Sequence, residues 1–497
     1  MKIRNLLCWK KSDFASNSLD VNTKKHTYGQ LQSRESIFRQ FMSVLTGYIL
    51  MIDTGAQATW SSPALSYLTS AESEILVTAD QGPWLASICS ISTTIGFLIS
   101  PIIVNRIGRR HTILFFCITQ LIAWILLNFA STYTYLCLSR IVVGTGYGGT
   151  YTTLNIYIGE VTDKSLRGKF LSLSKLCVNF GAFFINTAGA VLPYRTMNLV
   201  MALLPLTALA AFPFLLESPY YHLLKGRDEE AIKTLMELAK VTRPEIVFAD
   251  IERMKKNIEE SKESKNNSIK ELFCDRGSRR AFIIKLATIF IYVFGGFFAI
   301  QAYAQQIFSN SGSSLGPEYQ AMIMTGVQIF VGYPSSKLVD VWGRRPAYLF
   351  SGIMSAIMLG IGGLFFFLRM FIGTDVSSVT WIPLLSMVFY MIVCNMGITT
   401  IPYIYAGELF SVKVKGAAVM ILAIIESIFS FTTKIMLPCV NEAAGIYTSF
   451  WIFASVCAIG PLIVFYTTPE TMGKTLEEVL EIMRGNKKQV QKILVLN

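Results

Sequence analysis

Twelve runs of about twenty predominantly apolar residues leave this chain few folds to choose from; they centre near residues 50, 92, 121, 146, 180, 206, 294, 328, 358, 392, 426 and 456. A helix rises about 1.5 Å per residue, so each run is long enough to cross the roughly 30 Å hydrocarbon core of a bilayer. In lipid, only helices and closed barrels satisfy their own backbone polar groups, and runs this long and apolar read as helices. The expectation is an all-α membrane protein with twelve transmembrane helices. Composition agrees: 52% of residues are hydrophobic and 15% charged, where soluble proteins carry about a quarter charged residues. A soluble multidomain enzyme, a disordered chain and a secreted disulfide scaffold are excluded.

The net charge of +12 would suggest nucleic acid in a soluble protein. Here the placement of the basic residues matters more, because cytoplasmic loops collect Lys and Arg. They gather in the first 37 residues, in Gly108-Arg109-Arg110, in Gly343-Arg344-Arg345 and in the tail at Lys474, Arg484, Lys487 and Lys488. Alternate loops are poor in them. Both termini and the loops after even-numbered runs are therefore expected in the cytoplasm, and no nucleic-acid partner is expected. The first 37 residues lack the apolar segment and cleavage site of a signal peptide.

Residues 217–280 are charged with both signs mixed, as in Asp228-Glu229-Glu230 and Glu252-Arg253, and read as short amphipathic cytoplasmic helices. They divide the chain into an N-terminal tail at 1–37, a six-helix half at 38–216, the linker at 217–280, a second half at 281–467 and a tail at 468–497. The Asn266-Asn267-Ser268 sequon falls in that linker, where it should stay unmodified.

The halves repeat each other. Gly108-Arg109-Arg110 recurs as Gly343-Arg344-Arg345, Glu160 with Gly168 recurs as Glu408 with Gly416 at the same eight-residue interval, and Glu217-Ser218-Pro219 recurs as Pro469-Glu470-Thr471. Two parallel repeats with a path between them form a transporter architecture. Opposite charges at matched positions, namely Arg109, Arg110, Glu160, Arg167, Glu217, Asp340, Arg344, Arg345, Glu408 and Glu470, are expected to pair across helices as a cytoplasmic gate. Nine scattered cysteines and three isolated histidines form no metal-ligand pattern. No phosphate-binding loop or nucleophile elbow is present, so no metal, cofactor or enzymatic activity is expected.

These motifs together, over roughly 40–480, resemble the sugar porter family of the major facilitator superfamily. Trp60-Ser61-Ser62-Pro63-Ala64-Leu65, Gln81-Gly82-Pro83-Trp84 and Ala406-Gly407-Glu408 are similar to its insect facilitated trehalose transporter branch. The resemblance implies the major facilitator fold and transport of trehalose, a hexose or a similar polyol by alternating access in the plasma membrane, with lipid and a small solute as partners. It also implies pocket positions in the fifth, seventh, eighth, tenth and eleventh runs, which fall on Lys175, Tyr303, Gln328, Asn395, Tyr403 and Glu426. Several depart from the family: Lys175 stands where many members have glutamine, Tyr292 and Val293 replace two glutamines, and Glu426 replaces asparagine.

Ionisable groups at membrane depth are costly and usually face a cavity or a partner. Lys175 and Glu426 suggest an ion pair across the path or a charged solute, and Lys434 matches the trehalose branch. Asp53 and Arg140 match a pair found in proton-coupled members. They fit either a proton-loading site or a static bridge between the first and fourth runs, so protons are a candidate partner. Two further readings stay open: a non-transporting solute sensor, and a carrier of a charged organic solute.

Overall fold

The computed structural model describes residues 34–264, 268–474 and 476–484. The N-terminal tail before Arg34, two residues of the sequon and the basic residues Lys487 and Lys488 lie outside them. In the first half, α1 (Arg34–Thr59) is interrupted at Trp60 and continues as α2 (Ser61–Leu68). It is followed by α3 (Gln81–Ile107), α4 (Arg109–Asn128), α5 (Tyr133–Val161), α6 (Lys164–Val191) and α7 (Tyr194–Ala211). Four short helices connect the halves: α8 (Pro219–Leu224), α9 (Asp228–Ala239), α10 (Glu245–Ser264) and α11 (Ser268–Cys274). The second half holds α12 (Arg276–Phe294), α13 (Phe297–Ala302), α14 (Ala304–Ser309), α15 (Pro317–Trp342) and α16 (Arg344–Phe367). These are followed by α17 (Ile382–Met396), α18 (Ile401–Glu408), α19 (Val412–Ala444) and α20 (Ile446–Thr467), before the terminal α21 (Leu476–Arg484). Every expected apolar run is helical. The start of α12 at Arg276 puts its first polar turn inside the stretch expected as linker.

Among the described residues, nine helical stretches are long and apolar enough to cross a membrane. The helices at Arg34–Thr59, Tyr133–Val161 and Pro317–Trp342 fall short of that measure. The first two carry Asp53 and Arg140, both almost completely buried, and the third carries buried Gln320 and Gln328. Their polar content points inward rather than towards lipid, which lowers hydropathy without lowering fit.

Glycines set the helix spacing within the first half. A Cβ on Gly55 of α1 would overlap the main-chain oxygen of Val178 in α6, and one on Gly181 of α6 would overlap that of Ile52. Gly96, Gly144 and Gly148 do the same between α3 and α5. Backbones approach this closely only where small residues allow it. Two apolar runs are broken near their middles. Gly296, at φ 93°, separates α12 from α13, and a Cβ there would overlap the Phe453 ring. The turn at 397–400 separates α17 from α18. Irregular backbone at membrane depth persists only where protein or a cavity surrounds it.

The halves meet along α3–α19 and α6–α15. At one end α2 also packs on α14, with Ala64, Leu65, Leu68, Ile307 and Phe308 almost fully buried. The other end carries the repeated charges. There Gly159, Gly168, Gly407 and Gly416 have nothing within 4 Å of where a Cβ would stand. The halves are thus packed together at the apolar end, while at the charged end these four glycines face open space.

Candidate functional site

At the charged end, each Gly-Arg-Arg joins two helices through a glycine at positive φ, Gly108 at 93° and Gly343 at 88°. The sharp turn aims the next backbone N–H groups at a carboxylate. Arg109 N donates to Glu217 Oε1 at 2.8 Å, and Arg344 and Arg345 N donate to the two oxygens of Glu470 at 3.0 Å each. The first arginine of each motif then pairs with a glutamate at the end of a later helix, Glu160 in the last turn of α5 and Glu408 at the close of α18. Arg109 grips Glu160 through two bonds, Nε–Oε2 at 2.7 Å and Nη2–Oε1 at 2.6 Å. Arg344 Nη2 reaches Glu408 Oε1 at 3.0 Å and Asp340 Oδ1 at 3.3 Å. Ser218 Oγ donates to Glu160, as Thr471 Oγ1 does to Glu408 at 2.5 Å. The second arginines stack on rings, Arg110 on Phe212 at 4.7 Å and Arg345 on Phe465 at 4.5 Å. Partial burial pushes the Glu470 carboxyl up, but the backbone N–H groups of Arg345, Met472, Arg344 and Thr471 outweigh it and hold it below its usual value. Its bonds therefore stabilise the fold above the ordinary carboxylate range and are lost as pH falls through its lowered value.

Of the expected pairs, Arg109–Glu160, Arg344–Glu408 and Arg344–Asp340 are formed, each within one half, whereas Arg110 and Arg345 form no ion pair among the described residues. The network does not bolt one half to the other in this state; it makes each half rigid. Among the described residues Arg167 forms no such pair: its backbone caps the start of α6 on the Asp163 oxygen, and its buried Nε has no hydrogen-bond partner there.

The two glycines separate conformational strain from crowding. A Cβ on Gly108 would overlap Glu217 Oε2, whereas one on Gly343 would sit 3.1 Å from Glu470 Oε2. Both alanine variants carry the backbone cost of this conformation, about 1–3 kcal/mol. Gly108→Ala is expected to melt below Gly343→Ala in detergent, because it alone also displaces its carboxylate. Equal melting temperatures would show that the crowding is relieved without loss.

Midway between the ends, six pocket candidates divide into two sets. Lys175, Glu426 and Tyr403 are at least partly exposed although they lie where the halves face each other. Lys175 of α6 crosses to the other half, its Nζ 3.2 Å from Thr400 Oγ1 and 3.5 Å from Thr399 Oγ1. Glu426 does not face Lys175. Its carboxylate meets the Tyr403 hydroxyl and its nearest basic neighbour is Lys285 of α12; the Lys285 ammonium also sits 5.4 Å from the Tyr403 ring centre. Among the described residues no ion pair joins Lys175 to Glu426, and the basic group that acts on the Glu426 carboxylate is Lys285, in its own half. Helical position gives depth along a span, and Lys285 shares the depth of Glu426 on an adjacent helix.

The other three are held by the fold. Asn395 donates to Met391 O at 2.9 Å and accepts from Thr399 Oγ1 at 3.3 Å, so it ties down the break before α18. Tyr303 is buried and donates to Lys434 O at 2.9 Å. Gln328 is 1% exposed; it accepts from Gln301 at 3.0 Å, its backbone oxygen accepts from Asn179 of the first half at 3.2 Å, and its Nε2 has no partner. Lys434 donates to Ser90 Oγ across the seam at 2.9 Å.

Asp53 and Arg140 are also not in direct contact. Asp53 accepts from Trp124 Nε1 at 2.6 Å and from Gln57 Nε2 at 2.7 Å. Arg140 donates to Gln57 O at 3.1 Å and lies 4.7 Å over the Trp60 ring; its Nε and Nη1 are buried without partners. Gln57 stands between the two charges, amide to one and carbonyl to the other. Trp124, Gln57, Lys285 and the stacked pair Tyr147–Tyr151, which shares the Glu426 neighbourhood, were not legible as site residues. Only Lys285 carried a signal, a lone charge in an apolar run.

Residues 36–483 match the family described as sugar (and other) transporter. Among curated proteins, the chain is 28% identical over 442 residues to a facilitated trehalose transporter Tret1 of Apis mellifera ligustica, covering 88% of this chain and 87% of that one. It is 27% identical over 450 residues to a Tret1-2 homolog of Drosophila simulans, covering 90% and 91%. Among solved structures, the inward open conformation of the xylose transporter XylE from E. coli aligns with a TM-score of 0.74 at 18% identity, covering 89% of this chain and 99% of that one. The proton:xylose symporter XylE bound to 6-bromo-6-deoxy-D-glucose aligns at 0.69 and 18%, covering 90% and 99%. An all-helical chain of two repeated halves with apolar spans and a polar seam is a multi-pass membrane protein and a transporter rather than an enzyme, and this chain belongs to the sugar (and other) transporter family.

Proposed function

We propose that the protein carries a sugar or similar polyol across the plasma membrane by alternating access, as a facilitator. The carrying observation is the seam between the halves, lined at mid-depth by partly exposed polar side chains, with the halves packed together at the apolar end and four glycines facing open space at the charged end. The basic residues assign the charged end, both termini and α8–α11 to the cytoplasm, so the state described is inward-facing. All twelve apolar runs then span the membrane, the three more polar ones lining the path. In this reading Arg109–Glu160 and Arg344–Glu408 keep each half rigid while the halves rock about the seam, closing the end where Gly159, Gly168, Gly407 and Gly416 now face open space. Lys175, Glu426 and Tyr403 are the groups free to meet solute, and Gln328 offers an amide N–H. The facilitated trehalose transporters among its relatives support facilitation.

Uptake and counterflow of labelled trehalose, glucose and xylose by the full chain in proteoliposomes test this. Saturable, downhill uptake is expected, unchanged by a pH gradient. Asp53→Asn should stay within about threefold of wild type, because Gln57 Oε1, which has no partner, can accept from the new amide. Accumulation against a gradient, driven by external acid and lost in Asp53→Asn, would make the protein a symporter. Binding without uptake or counterflow would make it a sensor.

A further inference from the structure

Between its two charged ends, the transmembrane region holds four basic residues, Arg140, Lys175, Lys285 and Lys434, and two acidic ones, Asp53 and Glu426. The two carboxylates are already engaged. Asp53 takes Trp124 and Gln57, and Glu426 takes Tyr403 beside Lys285. Lys175 has no such neighbour: its hydrogen-bond partners are the Thr399 and Thr400 hydroxyls, and among the described residues no carboxylate lies within ion-pair distance of it. A cation at this depth costs a few kcal/mol unless a partner or water offsets it, and its partial exposure shows that open space reaches it.

The local chemistry suits an anion. An ammonium has three donors; Thr399 and Thr400 accept from it and pass their own hydrogens to Asn395 Oδ1 and O. The ammonium is therefore the donor left to meet an anion oxygen that enters from the seam. Those hydroxyls belong to the break between α17 and α18 in the second half, whereas Lys175 belongs to the first, so an anion on Lys175 would sit at the contact between the halves. The amides of Gln301 and Gln328 lie on α13 and α15 of the second half, where sugar hydroxyls need partners.

We propose that the preferred solute is a polyhydroxylated monocarboxylate, of the hexuronate class, whose carboxylate is received by Lys175. This rests on the reading of the protein as a sugar carrier. A single ammonium matches a carboxylate, whereas phosphate recognition favours guanidinium forks.

The test uses the full chain in proteoliposomes, with labelled D-glucuronate, D-glucose and trehalose as probes, in chloride and in methanesulfonate buffers. Glucuronate uptake is expected to saturate at concentrations at least about tenfold lower than glucose uptake. Lys175→Gln should raise the glucuronate KM about 10- to 100-fold, the loss of one charge-assisted bond, and bring it level with glucose. Lys175→Arg, which keeps the charge, should restore most of it, and this rescue separates recognition from packing. Wild-type protein alone suffices if a variant does not fold, because unlabelled glucuronate must compete with glucose better than glucose competes with itself. Transport of glucose or trehalose with no competition by glucuronate overturns the proposal and leaves the sugar reading standing. Sugar uptake that requires chloride overturns it by assigning the anion site to an inorganic co-ion. Uptake of lactate but of no hydroxylated sugar or sugar acid overturns both.

Discussion

Arg109→Ala is expected to cost about 3–5 kcal/mol of stability, read as a fall in melting temperature in detergent and in membrane abundance. The alanine keeps the backbone N–H that holds Glu217 and removes only the guanidinium. Glu160 then stays largely buried with Ser218 as its remaining side-chain partner. Removing one member of a buried ion pair strands the other, and that stranding is the expensive part. The mirrored Arg344→Ala should cost less, about 1–2 kcal/mol, because Glu408 is 29% exposed where Glu160 is 13%, and solvent screens the charge left behind. Arg109→Ala with Glu160→Ala should recover part of the single-variant loss, which a double-mutant cycle measures. Equal losses at Arg109 and Arg344, or no recovery in the double variant, would contradict the unequal burial of the two pairs.

A larger effect is expected where helices touch through their backbones. Gly181→Leu should abolish recovery of monodisperse protein, and Gly55→Leu should do the same. In both cases the first added carbon overlaps a main-chain carbonyl of the partner helix, Ile52 or Val178, which cannot rotate away as a side chain can. Relief would require α1 and α6 to separate along their length, undoing the close packing that holds helices together in lipid. Gly168→Leu and Gly416→Leu serve as controls. No atom lies within 4 Å of either added Cβ, so both should purify normally with melting changed by no more than about 0.5 kcal/mol. Monodisperse, thermally normal Gly181→Leu would show that α1 and α6 do not meet as described.

Much of this architecture was legible because a duplicated sequence states its topology twice. The pairing of Gly108 with Gly343, Glu160 with Glu408 and Glu217 with Glu470 anticipates two matched charge networks, and matched networks are found. Their direction was not legible. Position along a helix fixes the depth of a charge but not which helix lies beside it, so Glu160 could as well have faced the other half as Arg109. The same limit assigned Glu426 to Lys175 rather than Lys285, and Asp53 to Arg140 rather than Trp124, a residue 71 positions away that reads from sequence as apolar filler. Asn395 failed differently. An amide at a family pocket position looks free for solute, but the helix break beside it leaves backbone groups to satisfy, and the nearest polar side chain is spent on that local need.

The linker divides its attachments as cleanly as the charges do. α9 is fastened to α1 by Arg39–Glu237 and by Ser36 on the Leu238 oxygen, and α8 to α10 share one small apolar core. α11, beyond residues 265–267, packs on α12 and α19 instead. Each half thus owns its own stretch of connecting chain, its own charge lock and its own apolar helices, while the polar links between halves at mid-depth are hydroxyl, amide and lysine contacts. In genetic terms, dividing the reading frame between codons 264 and 268 would leave each half with its own charge lock and its own part of the connection.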